Sequence, residues 1–204
     1  MAKYHKYVFN TENRKFVGEF EKMYANEDKD NYDSWFQEDL RGLKYILSQA
    51  ILSQYNFNKI LDMGCGKGAF THLLKKKNNE VLGTDISETA VRKAQAKFPD
   101  IEFQALKAED IESLGRNFDL VVVMEILSYL ETWPEVIEKI SKVTNYVFIS
   151  LYLPPNPLGF VKSFEDLTRE VEKHFTIITK VVDEIGPDLL ILGKVKGKNK
   201  VISD

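Results

Sequence analysis

The chain has 204 residues, of which 44% are hydrophobic and 29% charged, and a formal net charge of −3 at pH 7. That balance excludes a disordered chain and fits one globular domain with a small appendage. Lys and Arg are scattered rather than gathered on a basic face, which disfavours a nucleic-acid substrate.

The predicted elements follow in chain order, with residues 1–56 expected to form an N-terminal helical cap. Met1 to Phe9 has no apolar signal-peptide core. Thr11 to Tyr55 reads as helical: Phe16, Phe20, Met23 and Tyr24 fall on one stripe. The polar stretch Asn26 to Ser34 interrupts it, and a second helix is predicted from about Glu38 to Tyr55. From residue 57 to 195 strand and helix patterns alternate. Lys59 to Met63, Glu80 to Thr84, Ile101 to Leu106, Phe118 to Met124 and Tyr146 to Leu151 read as strands. Ala69 to Lys77, Ser87 to Lys97, a segment opened by a Thr132–Glu135 capping box, and a stripe from Phe164 to Phe175 read as helices. Two last strands, Thr176 to Val182 and Leu189 to Val195, should pair as a hairpin across Gly186-Pro187. Residues 196–204 form a polar tail. The alternation predicts an α/β fold with a mostly parallel seven-stranded sheet, its last strand antiparallel. Ligands of such sheets bind beyond the carboxyl ends of the strands.

The longest strongly apolar run, Leu120 to Met124, is far shorter than the ~20 residues that cross a bilayer. The lone Cys65 excludes an internal disulfide, and no Cys/His cluster points to a metal. The expectation is a soluble cytoplasmic protein, a monomer or homodimer, with no membrane or nucleic-acid partner.

The strongest motif is Ile60-Leu61-Asp62-Met63-Gly64-Cys65-Gly66-Lys67-Gly68, at a strand–helix junction. Gly64, Gly66 and Gly68 permit a sharp turn against which a ligand can lie. The following helix aims its N–H groups at that ligand. Gly64 to Ala69 also satisfies G-x-G-x-x-A, a dinucleotide fingerprint. Asp62 tips the balance. A carboxylate would repel a pyrophosphate but accepts from an ammonium, such as the amino acid end of S-adenosylmethionine. Asp85 ends the next strand, where an acid grips ribose hydroxyls. Ala108-Glu109-Asp110 lies where an adenine would sit, although a plain helix cap explains it as well. Glu125, Ser128 and Tyr129 follow the central strand and can line a reaction centre. His72, His174 and Cys65 read as structural; His5, on the tail, is a remote candidate for reaching the site.

Asp62 to Gly68, Asp85, Ala108 to Asp110 and Val122 to Leu130 resemble the serial motifs of class I S-adenosylmethionine-dependent methyltransferases. The run Val122-Val123-Met124-Glu125-Ile126-Leu127-Ser128-Tyr129-Leu130 is similar to the nodulation protein S-like branch, whose founding members N-methylate an amino sugar. Lys107 departs from the pattern, standing where many relatives carry an acid. The resemblance implies a donor of S-adenosylmethionine, leaving S-adenosylhomocysteine as product. It adds Ile86 and Met124 to the cofactor positions and implies a cap in which Tyr32, Trp35 and Phe36 close over the methionine end, with Arg41 near its carboxylate. The loop Tyr152 to Gly159 would shape the acceptor pocket.

The expected reaction is methyl transfer to N or O of a small polar metabolite, such as a sugar or a polysaccharide precursor. Glu125 is the first candidate to orient the acceptor or take its proton, with Tyr129 and Tyr152 behind it. The alternatives are a nicotinamide-dependent oxidoreductase and a methyltransferase of nucleic acid or protein.

Overall fold

The computed structural model describes residues 3–37, 39–183 and 185–197. Glu38, the expected start of the second helix, and tail residues 198–204 lie outside them. Seven strands form one sheet: β3 (Lys59–Met63), β4 (Glu80–Asp85), β5 (Glu102–Ala105), β6 (Phe118–Met124), β7 (Thr144–Tyr152), β8 (Phe175–Asp183) and β9 (Asp188–Val195). Their order is β5-β4-β3-β6-β7-β9-β8. Pairings from β5 through to β7 are parallel, and β9 lies antiparallel between β7 and β8.

The core follows from the side-chain alternation of the strands. In β6, Leu120 and Val122 enter one apolar layer while Val121 and Val123 enter the other. Helices cover both faces, so both parities must be apolar, which is why Phe118 to Met124 reads as a continuous run. One face is covered by α6 (Trp133–Val143) and α7 (Phe164–His174), through Val136, Ile137, Ile140, Leu167 and Val171. The other is covered by α3 (Leu43–Leu52), α4 (Ala69–Leu74) and α5 (Glu88–Lys97), through Ile51, Leu52, Phe70, Leu74 and Ala94. Burying each such aliphatic side chain stabilises by ~1.5–3 kcal/mol. Strand β8 alternates buried and solvated positions along its length, as an edge strand with one wet face must.

The N-terminal segment differs from the expected pair of helices. A short helix α1 (His5–Val8) leads into a hairpin of β1 (Phe9–Asn10) and β2 (Lys15–Phe16); only then does α2 (Phe20–Asp30) begin. The side chain of Asn10 accepts from Glu12 N and Asn13 N and turns the chain. Phe9 pairs with Phe16 across the hairpin. The apolar spacing of Phe16, Phe20 and Tyr24 therefore imitated a helix across a strand–helix boundary. The Thr132–Glu135 capping box also fails to form, because Thr132 Oγ1 donates to Glu109 instead.

Candidate active site

The chain runs outward from β3 to β4 and β5, then returns to β6 on the other side of β3. A cleft must open beyond the carboxyl ends of β3 and β6 at that reversal. It is a cavity of about 910 Å³. The glycine bend after β3 forms one wall. Gly64 N and Cys65 N donate to Thr84 O at 2.7 and 2.9 Å, pinning the bend to β4. Gly66, at φ +54°, lies under the cap: a Cβ there would sit 2.1 Å from Gln37 Nε2. Gly68 serves packing rather than ligand contact. Its φ is +79°, and a Cβ would meet the Phe103 ring at 2.7 Å.

Two buried carboxylates face this bend. Asp62 accepts from Thr71 Oγ1 at 2.6 Å, and burial pushes its pKa up to about 7. Asp85 accepts from Gly66 N and Ser87 N, each at 2.9 Å, and burial pushes it up to about 6 against those bonds. No cation among the described residues pairs with either acid. A buried charge without an internal partner is costly, so this is a place prepared for a cationic or hydroxyl-bearing ligand. Ile86, Leu106, Ala108, Glu109 and Met124 continue the wall toward β5 and β6.

Beyond β6 the backbone turns sharply at Glu125, a non-glycine residue at φ +63°. Its carboxylate accepts from Ser150 Oγ at 2.6 Å and Tyr152 N at 2.7 Å, and pairs with Lys44 Nζ at 3.3 Å. Burial works against the Lys44 charge, but Glu125 and its neighbours more than offset it and hold the pKa above the ordinary lysine value. Tyr129 also lines the cavity, with burial and the Glu125 charge raising its phenol far beyond the ordinary range. Burial favours its protonated form, which can donate a hydrogen bond into the cavity. Tyr152 lines the same edge and is exposed.

The cap closes the cleft. Lys67, inside the glycine bend, bonds Glu27 at 2.8 Å and Asp33 at 2.6 Å, and Lys93 bonds the other Glu27 oxygen at 2.8 Å. Burial opposes the Glu27 charge, but the two lysines hold its pKa below the ordinary glutamate value. Gln37 Oε1 accepts from Lys67 N at 2.6 Å. At the N-terminus of α5, Glu21 accepts from Ser87 Oγ and from Thr89. Trp35, at φ +62°, lines the cavity between Tyr4 and Tyr129, whose rings lie 5.1 and 5.4 Å away.

The structure thus brings Asp62, Gly64, Asp85, Ile86, Ala108, Glu109, Met124, Trp35, Glu125, Tyr129 and Tyr152 to one cavity. Arg41 is the correction: its guanidinium is 89% exposed and pairs with Asp39, away from the cavity. Lys44, three residues on, is the cation that α3 turns inward. Tyr32 bonds Met23 O rather than facing the cleft. His5 does line the cavity, on α1. His72 stacks on Phe98, and His174 lies 3.6 Å from Glu170. Burial pushes the Cys65 thiol well up, leaving it inert. Among the described residues no group of acids, histidines and cysteine could hold a metal ion, and no helix is long and apolar enough to cross a membrane.

Residues 60–146 match the model of a family described as "Methyltransferase domain". The strand order and the bend after β3 give the chain the Rossmann-like fold of class I methyltransferases. A solved N-methyltransferase, NodS from Bradyrhizobium japonicum in complex with S-adenosylhomocysteine, superimposes with a TM-score of 0.70. The two are 21% identical, and the match covers 85% of this chain and 98% of that one. The magnesium protoporphyrin IX methyltransferase of Synechocystis, solved with bound S-adenosylmethionine, gives a TM-score of 0.62 at 15% identity, covering 94% of each chain. Among curated sequences, the ubiquinone biosynthesis O-methyltransferase of Mesorhizobium japonicum is 32% identical over 76 residues, 35% of this chain. The match spans 30% of that relative's length.

Proposed function

We propose that this protein transfers a methyl group from S-adenosylmethionine to a nitrogen or oxygen of a small polar molecule, as a cytoplasmic monomer or homodimer. One observation carries the reading: two buried carboxylates with no pairing cation among the described residues, at the ends of adjacent strands, around a glycine bend. Asp62 suits an ammonium and Asp85 a ribose diol. Lys44 suits the carboxylate of an amino acid, and Ala108 and Met124 suit the flat faces of an adenine. A dinucleotide would instead bring its doubly negative pyrophosphate to the bend, against Asp62.

When bound, S-adenosylmethionine supplies a sulfonium methyl group that passes to the acceptor as the carbon–sulfur bond breaks with its electron pair on sulfur. The protein's part is alignment and exclusion of water, for which ~7–11 kcal/mol is available in favourable cases. The cap roofs the cavity through Trp35 and Gln37, and the Lys67–Glu27–Lys93 network holds that roof to the bend and to α5. Ser150, Tyr152 N and Lys44 clamp Glu125 where an acceptor would lie, so the carboxylate orients the acceptor and can take its proton. The named functions of the relatives, an O-methyltransferase and an N-methyltransferase, support either acceptor atom.

Calorimetry with S-adenosylhomocysteine and with NADH tests the reading. Micromolar or tighter binding of the thioether and no heat from NADH is the expected result. The reverse would overturn it.

A further inference from the structure

The cavity has a second half, away from the two aspartates, and its walls differ in kind. Phe9 and Phe16 from the hairpin, Phe20 from α2, and Tyr129 after β6 converge there. Phe9 and Phe16 lie 5.9 and 6.2 Å from the Tyr129 ring, the latter stacked within 11°. Were these rings only a core for the cap, they would be sealed like Met23 beside them, which is fully buried and off the cavity wall. They are instead half-buried and line the cavity. Aromatic faces left open in a concave wall favour a flat apolar partner, through burial of area and ring stacking.

The charges of this half are equally one-sided. Its cation is Arg14, on the hairpin at φ +54°, whose Nη2 donates to Asn156 O and Oδ1 at 3.0 and 2.9 Å. Those bonds tie the hairpin to the loop after β7 and set the guanidinium at the cavity wall. They use one nitrogen of a five-donor fork. Among the described residues no carboxylate pairs with Arg14. The acids of the cavity sit elsewhere: Asp62, Asp85 and Glu109 at the cofactor end, and Glu125 against Lys44. His5 adds no positive charge near neutrality, since burial lowers its pKa. A planar guanidinium with spare donors matches a carboxylate better than a hydroxyl-rich ring.

Resting on the methyl-transfer reading, we propose that the acceptor is an aromatic acid, its ring against Phe9, Phe16 and Tyr129 and its carboxylate on Arg14. The amine or hydroxyl that receives the methyl group is then the ring's own substituent, presented toward Glu125.

The test is calorimetry on the full chain saturated with S-adenosylhomocysteine. The probes are 3,4-dihydroxybenzoate and 4-aminobenzoate, the methyl ester of each, and glucosamine. At least one acid is expected to bind about tenfold or more tighter than its ester, about 1.4 kcal/mol, with no heat from glucosamine. Arg14→Gln is expected to abolish the acid–ester difference. Phe16→Leu, which keeps apolar bulk but removes the ring, is expected to weaken acid and ester alike by about fivefold. Glucosamine binding more tightly than every aromatic probe, acid and ester binding equally, or no aromatic binding at all would overturn the inference. Failure to bind S-adenosylhomocysteine in the first place would instead overturn the methyl-transfer reading.

Discussion

Substituting Asp62 by Asn exposes the physics of the cleft most sharply when pH is varied with it. Burial holds the Asp62 carboxyl near pKa 7 in the unliganded protein, far above the ordinary aspartate value of about 3.9. A cationic ligand needs the ionised form, so affinity must rise as pH rises through that pKa. Between pH 5 and 7.5 the ionised fraction climbs from about one hundredth to about three quarters. That is a gain of about 75-fold, or about 2.6 kcal/mol, from Asp62 alone. Asp85, with its pKa near 6, contributes a further gain of about tenfold over the same interval. Wild-type affinity for S-adenosylmethionine is therefore expected to span on the order of a thousandfold, and Asp62→Asn about tenfold. Stability moves the other way. The raised pKa favours the folded state in full below the unfolded value of about 3.9, and that advantage is lost as pH rises from there through the folded value of about 7. Ligand-free Asp62→Asn is thus expected to melt higher than wild type at pH 7.5, by roughly 2–4 °C per kcal/mol recovered. Calorimetry and thermal melts across pH read both effects. A wild-type affinity that is flat from pH 5 to 7.5, or a variant curve as steep as the wild type's, would refute the reasoning.

Asp85→Ala leaves Gly66 N and Ser87 N without their acceptor and removes the ribose grip; cofactor affinity should fall at least tenfold, about 1.4 kcal/mol. Unchanged affinity would mean the ribose is misplaced. Gly68→Ala drives a Cβ into the Phe103 ring at a left-handed φ, and urea denaturation should report a loss of about 1–3 kcal/mol. Arg41→Ala should change cofactor affinity by less than about twofold, because its exposed guanidinium pairs with Asp39 and does not line the cavity. A larger drop measured by calorimetry would return Arg41 to the methionine end.

The parallel sheet was legible because its signals are local. Phe118 to Met124 is apolar on both parities, Asp62 and Asp85 lie in the last two residues of their strands, and the glycines follow directly on β3. The form of the N-terminal segment was not legible. A hairpin from Phe9 to Phe16 depends on one asparagine turn, and the helical stripe of Phe16, Phe20 and Tyr24 masked it. The residues that sequence reasoning missed act across long separations. Gln37 reaches Lys67 N, Lys44 reaches Glu125, and Arg14 reaches Asn156. No periodicity announces such pairs. The aromatic density of the first 36 residues was the available hint, since a cap of that size has little core of its own to fill. Arg41 at the methionine carboxylate rests on the family resemblance alone, with no local pattern to fix its direction. The start of α3 at Leu43 turned Lys44 inward and left Arg41 in the preceding exposed stretch.

A crystal structure with S-adenosylhomocysteine bound tests the central claim most directly. The ribose hydroxyls should lie within hydrogen-bonding distance of Asp85, with the amino acid end over Gly64 and its ammonium directed toward Asp62. A ligand bound with its ribose elsewhere, or with Asp62 and Asp85 facing only protein, would contradict the account.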